Sequence, residues 1–182
     1  MKPRSFLVLG FLVAASVPAI AQTEKVVAIH GGPKVSVTVP MGYSYETKAN
    51  LDGSIGVRMD NPVWGITIDV RVARETDPAA TTREWQQNML ISFVADALAV
   101  SAETGYDFKP LQLTSGTGVY CVFQAKDAPK PKPGESIPNT HLTGGLKAWK
   151  GCLVVVRILS PDVTSPEYLE AFATLTNGTT KM

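Results

Sequence analysis

Val35, Val37 and Val39 are separated by Ser36 and Thr38, the period-two pattern of a half-buried strand, which Pro40 and Gly42 end. Tyr43 and Tyr45 continue the alternation after that break. Asp52-Gly53 is a strong turn signal. After it, Ile55, Val57 and Met59 alternate with Gly56, Arg58 and Asp60. Asn61-Pro62 interrupts, and Ile66, Ile68, Val70 and Val72 then alternate with Thr67, Asp69 and Arg71. The pattern predicts three amphipathic strands, each with one apolar and one polar face.

The period then lengthens. Thr81-Thr82-Arg83-Glu84 matches a capping box, with Thr81 as N-cap and Glu84 at the third helical position. Trp85, Met89, Phe93 and Ala97 recur every fourth residue, and Leu90, Val94 and Leu98 widen the stripe. A helix over about Thr82 to Glu103 follows, with Gly105 as its stop. Trp85 falls on its core face. Val119–Ala125 and Leu153–Leu159 are apolar at consecutive positions, as strands covered on both faces are. Leu142–Trp149 reads as another strand, turned by Lys150-Gly151 into Cys152. Ser165-Pro166 supplies an N-cap followed by proline, and Tyr168, Leu169, Phe172 and Leu175 form the apolar face of a last helix that Gly178 ends. Between Lys126 and His141, Pro129, Pro131, Pro133 and Pro138 forbid a central strand, and Lys126, Lys130 and Lys132 make the first half basic. The expected fold class is α+β: a central antiparallel sheet with one helix on each face, an α/β/α sandwich.

Residues 1–21 read as an address. Lys2 and Arg4 precede ten apolar residues, Phe6 to Ala15; Pro18 breaks the segment, and Ala19-Ile20-Ala21 presents small residues to a signal peptidase. A bilayer-spanning helix needs roughly 20 apolar residues, so this one is removed rather than anchored, with cleavage before Gln22. No cysteine follows it to carry a lipid. The expected organisation is a secretory signal (1–21), an N-terminal arm (22–32) and one domain (33–182) carrying the proline-rich loop 126–141. No second apolar stretch is long enough to span a membrane, so no stable membrane insertion is expected after cleavage.

Export changes the reading of the two cysteines, Cys121 and Cys152. An oxidising compartment predicts a disulfide between them. The strand pattern opposes it: a Leu142 strand lying between the two would hold them roughly 10 Å apart, beyond bonding distance. The bond then requires a different strand order or a cysteine at a strand end; otherwise both are buried thiols.

The order of strands, one long capped helix, a strand, a proline-rich excursion, the hairpin from Leu146 to Val156 and a closing helix resembles the PsbP-like fold, found in many small exported bacterial proteins. The resemblance covers most of residues 33–178 and rests on element order. It implies an α/β/α sandwich and a non-catalytic accessory or binding role, and it carries no site residues.

Composition narrows the chemistry. A formal charge of +1 over 182 residues gives no reason to expect nucleic acid. The two histidines, His30 and His141, have no local partner pattern, and there is no G-x-S-x-G elbow. Gly116-Thr117-Gly118 precedes a strand and reads as a turn. Asp60, Asp69 and Asp77 lack calcium-loop spacing, and the cysteines match no zinc spacing. Neither a metal nor a cofactor is expected. Binding surface remains. Trp64, at a hairpin tip, and Trp149, beside a turn, are either partner anchors or rings packed back on the sheet. Arg58, Asp69 and Arg71 share the polar face of the flank strands, which is either a solvated, cross-strand-paired surface or a docking face. The function expected is that of an exported periplasmic binding or accessory protein acting through contacts with an envelope protein. The alternative is a small periplasmic hydrolase using His30 or His141.

Overall fold

A computed structural model describes residues 23–113, 115–127, 138–149 and 151–182. The leader 1–21, Gln22, Lys150 and most of the proline-rich loop, with Pro129 to Pro133, lie outside the described residues. In chain order the elements are β1 (Thr23–Ala28), β2 (Lys34–Val39), β3 (Ser44–Ala49), β4 (Ile55–Asn61), β5 (Ile66–Glu75), a turn of 3-10 helix (Pro78–Thr81), α1 (Arg83–Ala99), β6 (Lys109–Pro110), β7 (Thr117–Gln124), β8 (His141–Trp149), β9 (Gly151–Ser160), α2 (Pro166–Thr176) and β10 (Thr179–Lys181). The chain is α+β, with two helices and two antiparallel sheets among the described residues. One sheet has seven strands in the order β3-β4-β5-β9-β8-β7-β6, and the other three in the order β1-β2-β10.

The alternating segments form the flank of the large sheet. Val57, Met59, Ile68, Val70 and Val72 turn inward, where Val35, Val37 and Val39 of the small sheet and Tyr168, Ala171 and Leu175 of α2 close one core. Ser165 caps α2 as its sequence predicts, its hydroxyl accepting from Tyr168 N at 3.1 Å. Leu90, Val94 and Ala97 of α1 meet Val119, Cys121, Phe123, Leu146, Leu153 and Val155 in a second core. The runs that were apolar at consecutive positions are thus divided between two cores: Val154 and Val156 face one, Leu153 and Val155 the other.

Several expectations are corrected. The arm 22–32 contains β1, which pairs with β2 along its whole length, from Thr23↔Val39 to Ala28↔Lys34. Val27 and Ile29 are buried there. Tyr45 does not extend the strand of Val35–Val39: it belongs to β3, in the other sheet. The cap of α1 is Thr82 rather than Thr81, and its hydroxyl accepts from Trp85 N at 3.4 Å. Thr81 instead ends the 3-10 turn begun at Pro78. The helix stops at Ala99, before Glu103, because Ser101 turns to bridge Ala125 beyond the end of β7. Its buried line is Gln86, Leu90, Val94 and Ala97, while Trp85, Met89 and Phe93 are only partly buried. Gln86 is tolerated at 1 % exposure because its amide donates to Ala80 O at 3.0 Å and Thr117 Oγ1 at 2.7 Å. On α2, Leu169 is exposed.

The Cys121–Cys152 disulfide is also overturned. Cys121 on β7 stands opposite Gly144 of β8, and Cys152 on β9 stands opposite Trp149, at the other end of the same strand. A whole strand separates them, roughly 10 Å across, where a disulfide needs Cα atoms within about 7 Å. They also face opposite cores, Cys121 beneath α1 and Cys152 on the α2 side. No bond joins them.

Candidate binding face on the sheet flank

Where α1 ends its cover, the polar faces of β3, β4, β5 and β9 lie side by side. The register places Glu46 opposite Arg58, Arg58 opposite Asp69, and Asp69 opposite Arg157. The result is a row of alternating charge across four strands. Arg58 Nη1 lies 3.6 Å from Asp69 Oδ1, and Arg58 Nε lies 2.9 Å from Asp60 Oδ2. Asp60 is held in turn by Thr67 Oγ1, which donates to it at 2.7 Å. Arg157 Nη2 reaches Asp96 of α1 at 3.5 Å. Arg71, in the next row, pairs with Asp52 and donates from Nε to Ser54 Oγ at 3.0 Å. Its guanidinium sits 5.6 Å from the centroid of the Phe93 ring.

Glu46, Arg58, Asp69, Arg71 and Arg157 line a groove of about 360 Å³ between the sheet and Phe93 of α1. Burial there raises the Asp69 carboxyl above its ordinary value, against the pull of Arg58 and Arg157. Burial acts on Asp60 in the same sense but is outweighed by the hydrogen bonds from Thr67 and Arg58, which hold its carboxyl low. Bonding to Asp60 raises Arg58 further. Solvent-exposed pairs of this kind contribute only about 0–1 kcal/mol each, so the row is weakly explained by stability. Its signs alternate, which matches neither a nucleic acid backbone nor a single small anion. The row ends at β3, an edge strand whose six residues are all exposed.

Arg58, Asp69 and Arg71 are therefore brought together. The two tryptophans are not. Trp64 is half-buried on the α2 side, with its ring edge-on to Tyr43 at 6.2 Å and its backbone N–H bonded to Asn61 Oδ1 at 3.2 Å. That is the packed-back reading of a hairpin tip. Trp149, also half-buried, lies at the far end of the sheet, where its indole N–H donates to Ser115 Oγ at 3.3 Å. His30 is exposed after β1. His141 Nδ1 meets the Thr140 hydroxyl at 2.8 Å beside a separate cavity of about 220 Å³. Among the described residues no group of three or more His, Cys, Asp or Glu side chains could hold a metal ion, and no helix is long and apolar enough to cross a membrane.

Sequence reasoning missed Lys147. It is 1 % exposed, and Nζ donates to Thr176 O at 2.9 Å, Thr179 O at 2.6 Å and Thr179 Oγ1 at 3.0 Å. No carboxylate pairs with it among the described residues. The one available signal was its place between Leu146 and Ala148 in the run Gly144–Trp149, whose other residues are all apolar or glycine. Compared with models of known families the chain matches none, and no curated protein is similar to it.

Proposed function

We propose that this protein is an exported, non-catalytic binding or accessory module of the cell envelope. It docks a protein partner on the flank face bearing Arg58, Asp69 and Arg71. The observation that supports the reading is the Glu46–Arg58–Asp69–Arg157 row, which runs to an exposed edge strand. A protein surface with charges of both signs complements it, and an extended partner segment can add to the edge of β3 that pairs with no strand among the described residues. Export rests on the leader pattern of residues 1–21, with the mature chain starting at Gln22. We further propose a PsbP-like α/β/α sandwich in which the small sheet extends the α2 layer.

The test is capture of envelope proteins on the wild-type protein and on an Arg58→Glu/Arg71→Glu variant. Wild type should retain a partner whose binding weakens as salt is raised, and the charge-reversed variant should lose it. Retention of the same partner by the variant would overturn the docking face.

A further inference from the structure

At the opposite end of β5 from the Asn61–Gly65 turn lies a cleft of about 640 Å³. It is walled by the β1–β2 turn (Gly31, Gly32 and Pro33), by Arg74 and by Trp149. It shares no residue with the flank groove. Its volume is within the roughly 300–1,000 Å³ typical of small-molecule sites.

The indole is fixed in advance of any ligand. Ser115 holds its N–H at 3.3 Å, and the Lys147 ammonium stands 4.9 Å from the ring centroid. Gly116 lies so close that a Cβ there would fall 2.7 Å from the indole nitrogen, and its φ of +77° belongs to the left-handed region. A ring held on several sides costs little further entropy when a flat group stacks on it.

Charge selects what would stack. Two acidic residues also line the cleft, Glu75 and Asp77. Both turn to local donors. Asp77 accepts from Ala79 N at 2.8 Å and from Trp85 Nε1 at 3.0 Å, and Glu75 accepts from Asp77 N at 2.7 Å. Arg74 differs: its guanidinium makes no ion pair and no hydrogen bond among the described residues. Its planar fork matches a carboxylate in two-point contact. We propose that this cleft binds a small organic anion, a carboxylate on a flat apolar body, with Arg74 on the carboxylate and Trp149 against the ring.

The experiment is an NMR titration of the ¹⁵N-labelled protein with 1-naphthoate and with its neutral counterpart 1-naphthalenemethanol. The Trp149 indole N–H and the Gly31, Gly32 and Gly151 amides report on the cleft. Naphthoate should shift them saturably, and the alcohol should bind about tenfold more weakly, the scale of one charge-assisted contact. In Arg74→Gln, whose side chain is exposed in the wild type, that preference should vanish while the alcohol binds unchanged. Absence of saturable shifts at millimolar naphthoate, or shifts confined elsewhere, would overturn the site. Equal binding of acid and alcohol by wild type, or an undiminished preference in Arg74→Gln, would overturn the anion assignment.

Discussion

Gly144 and Gly145 are consecutive residues of β8, and each is the seat of a different helix. A Cβ on Gly144 would fall 2.4 Å from Val94 Cγ1 of α1, and one on Gly145 would fall 2.3 Å from Leu175 Cδ2 of α2. Successive residues of a strand point their side chains to opposite sides, so the missing Cβ atoms leave room for Val94 at one glycine and for Leu175 at the other.

Gly144→Ala and Gly145→Ala should each destabilise the fold by about 1–3 kcal/mol through overpacking. Urea denaturation measures this. Val94→Ala should recover part of the loss in Gly144→Ala and none of that in Gly145→Ala, because only the first pair shares a contact.

Lys147 makes stability depend on pH. Burial lowers its ammonium from 10.5 to about 8. Between those values the unfolded chain holds more protons than the folded one, so this group's contribution to stability rises with pH. Below the window the ammonium is charged in both states and the contribution is flat. Cys121, Tyr43 and Tyr168, all raised by burial, act in the opposite sense in alkali. The difference in unfolding free energy between wild type and Lys147→Met isolates the lysine. That difference should grow in favour of wild type by about 2 kcal/mol from about pH 8 to about pH 10. A constant difference in urea melts would contradict it.

The thiol of Cys121 is pushed up to about 12, first by burial and then by Asp107. Thiolate is the reactive form. Cys121 should therefore resist N-ethylmaleimide in the native protein and react once denatured. A peptide map under non-reducing conditions should contain no Cys121–Cys152 cross-link.

Arg58→Ala and Asp69→Ala, singly or together, should change stability by less than about 1 kcal/mol, since both side chains are more than 40 % exposed. Thermal melts check this. A large loss would make the row a structural device and remove the argument for docking.

The α1 cap offers a local test. Thr82→Ala should cost about 1 kcal/mol, because its hydroxyl holds Trp85 N and also donates to Ala79 O at 2.8 Å. Thr81→Ala should cost less, since the Thr81 side chain caps nothing in α1.

What could be read from the chain was written in neighbouring residues. Val35 to Val39, Ile55 to Met59 and Ile66 to Val72 announced strands because a period of two is local. Asp52-Gly53 announced the turn that leads into β4, and Ser165-Pro166 announced α2, because turn and cap chemistry is also local. The polar set Arg58, Asp69 and Arg71 was legible as one face for the same reason. Its order was not: only the pairing of β3, β4, β5 and β9 sets Glu46, Arg58, Asp69 and Arg157 in line. The strand β1 was missed because Thr23–Ala28 does not alternate apolar and polar residues, and β10 because it has three residues and gains its ladder only from β2, far away in sequence. The cysteines, the burial of Lys147 and the turning inward of Trp64 were decided by tertiary structure. An apolar residue marks a face that must be covered, but burial is non-directional and does not name the cover. Strand order and the two helices settle that, and with it which side chains meet.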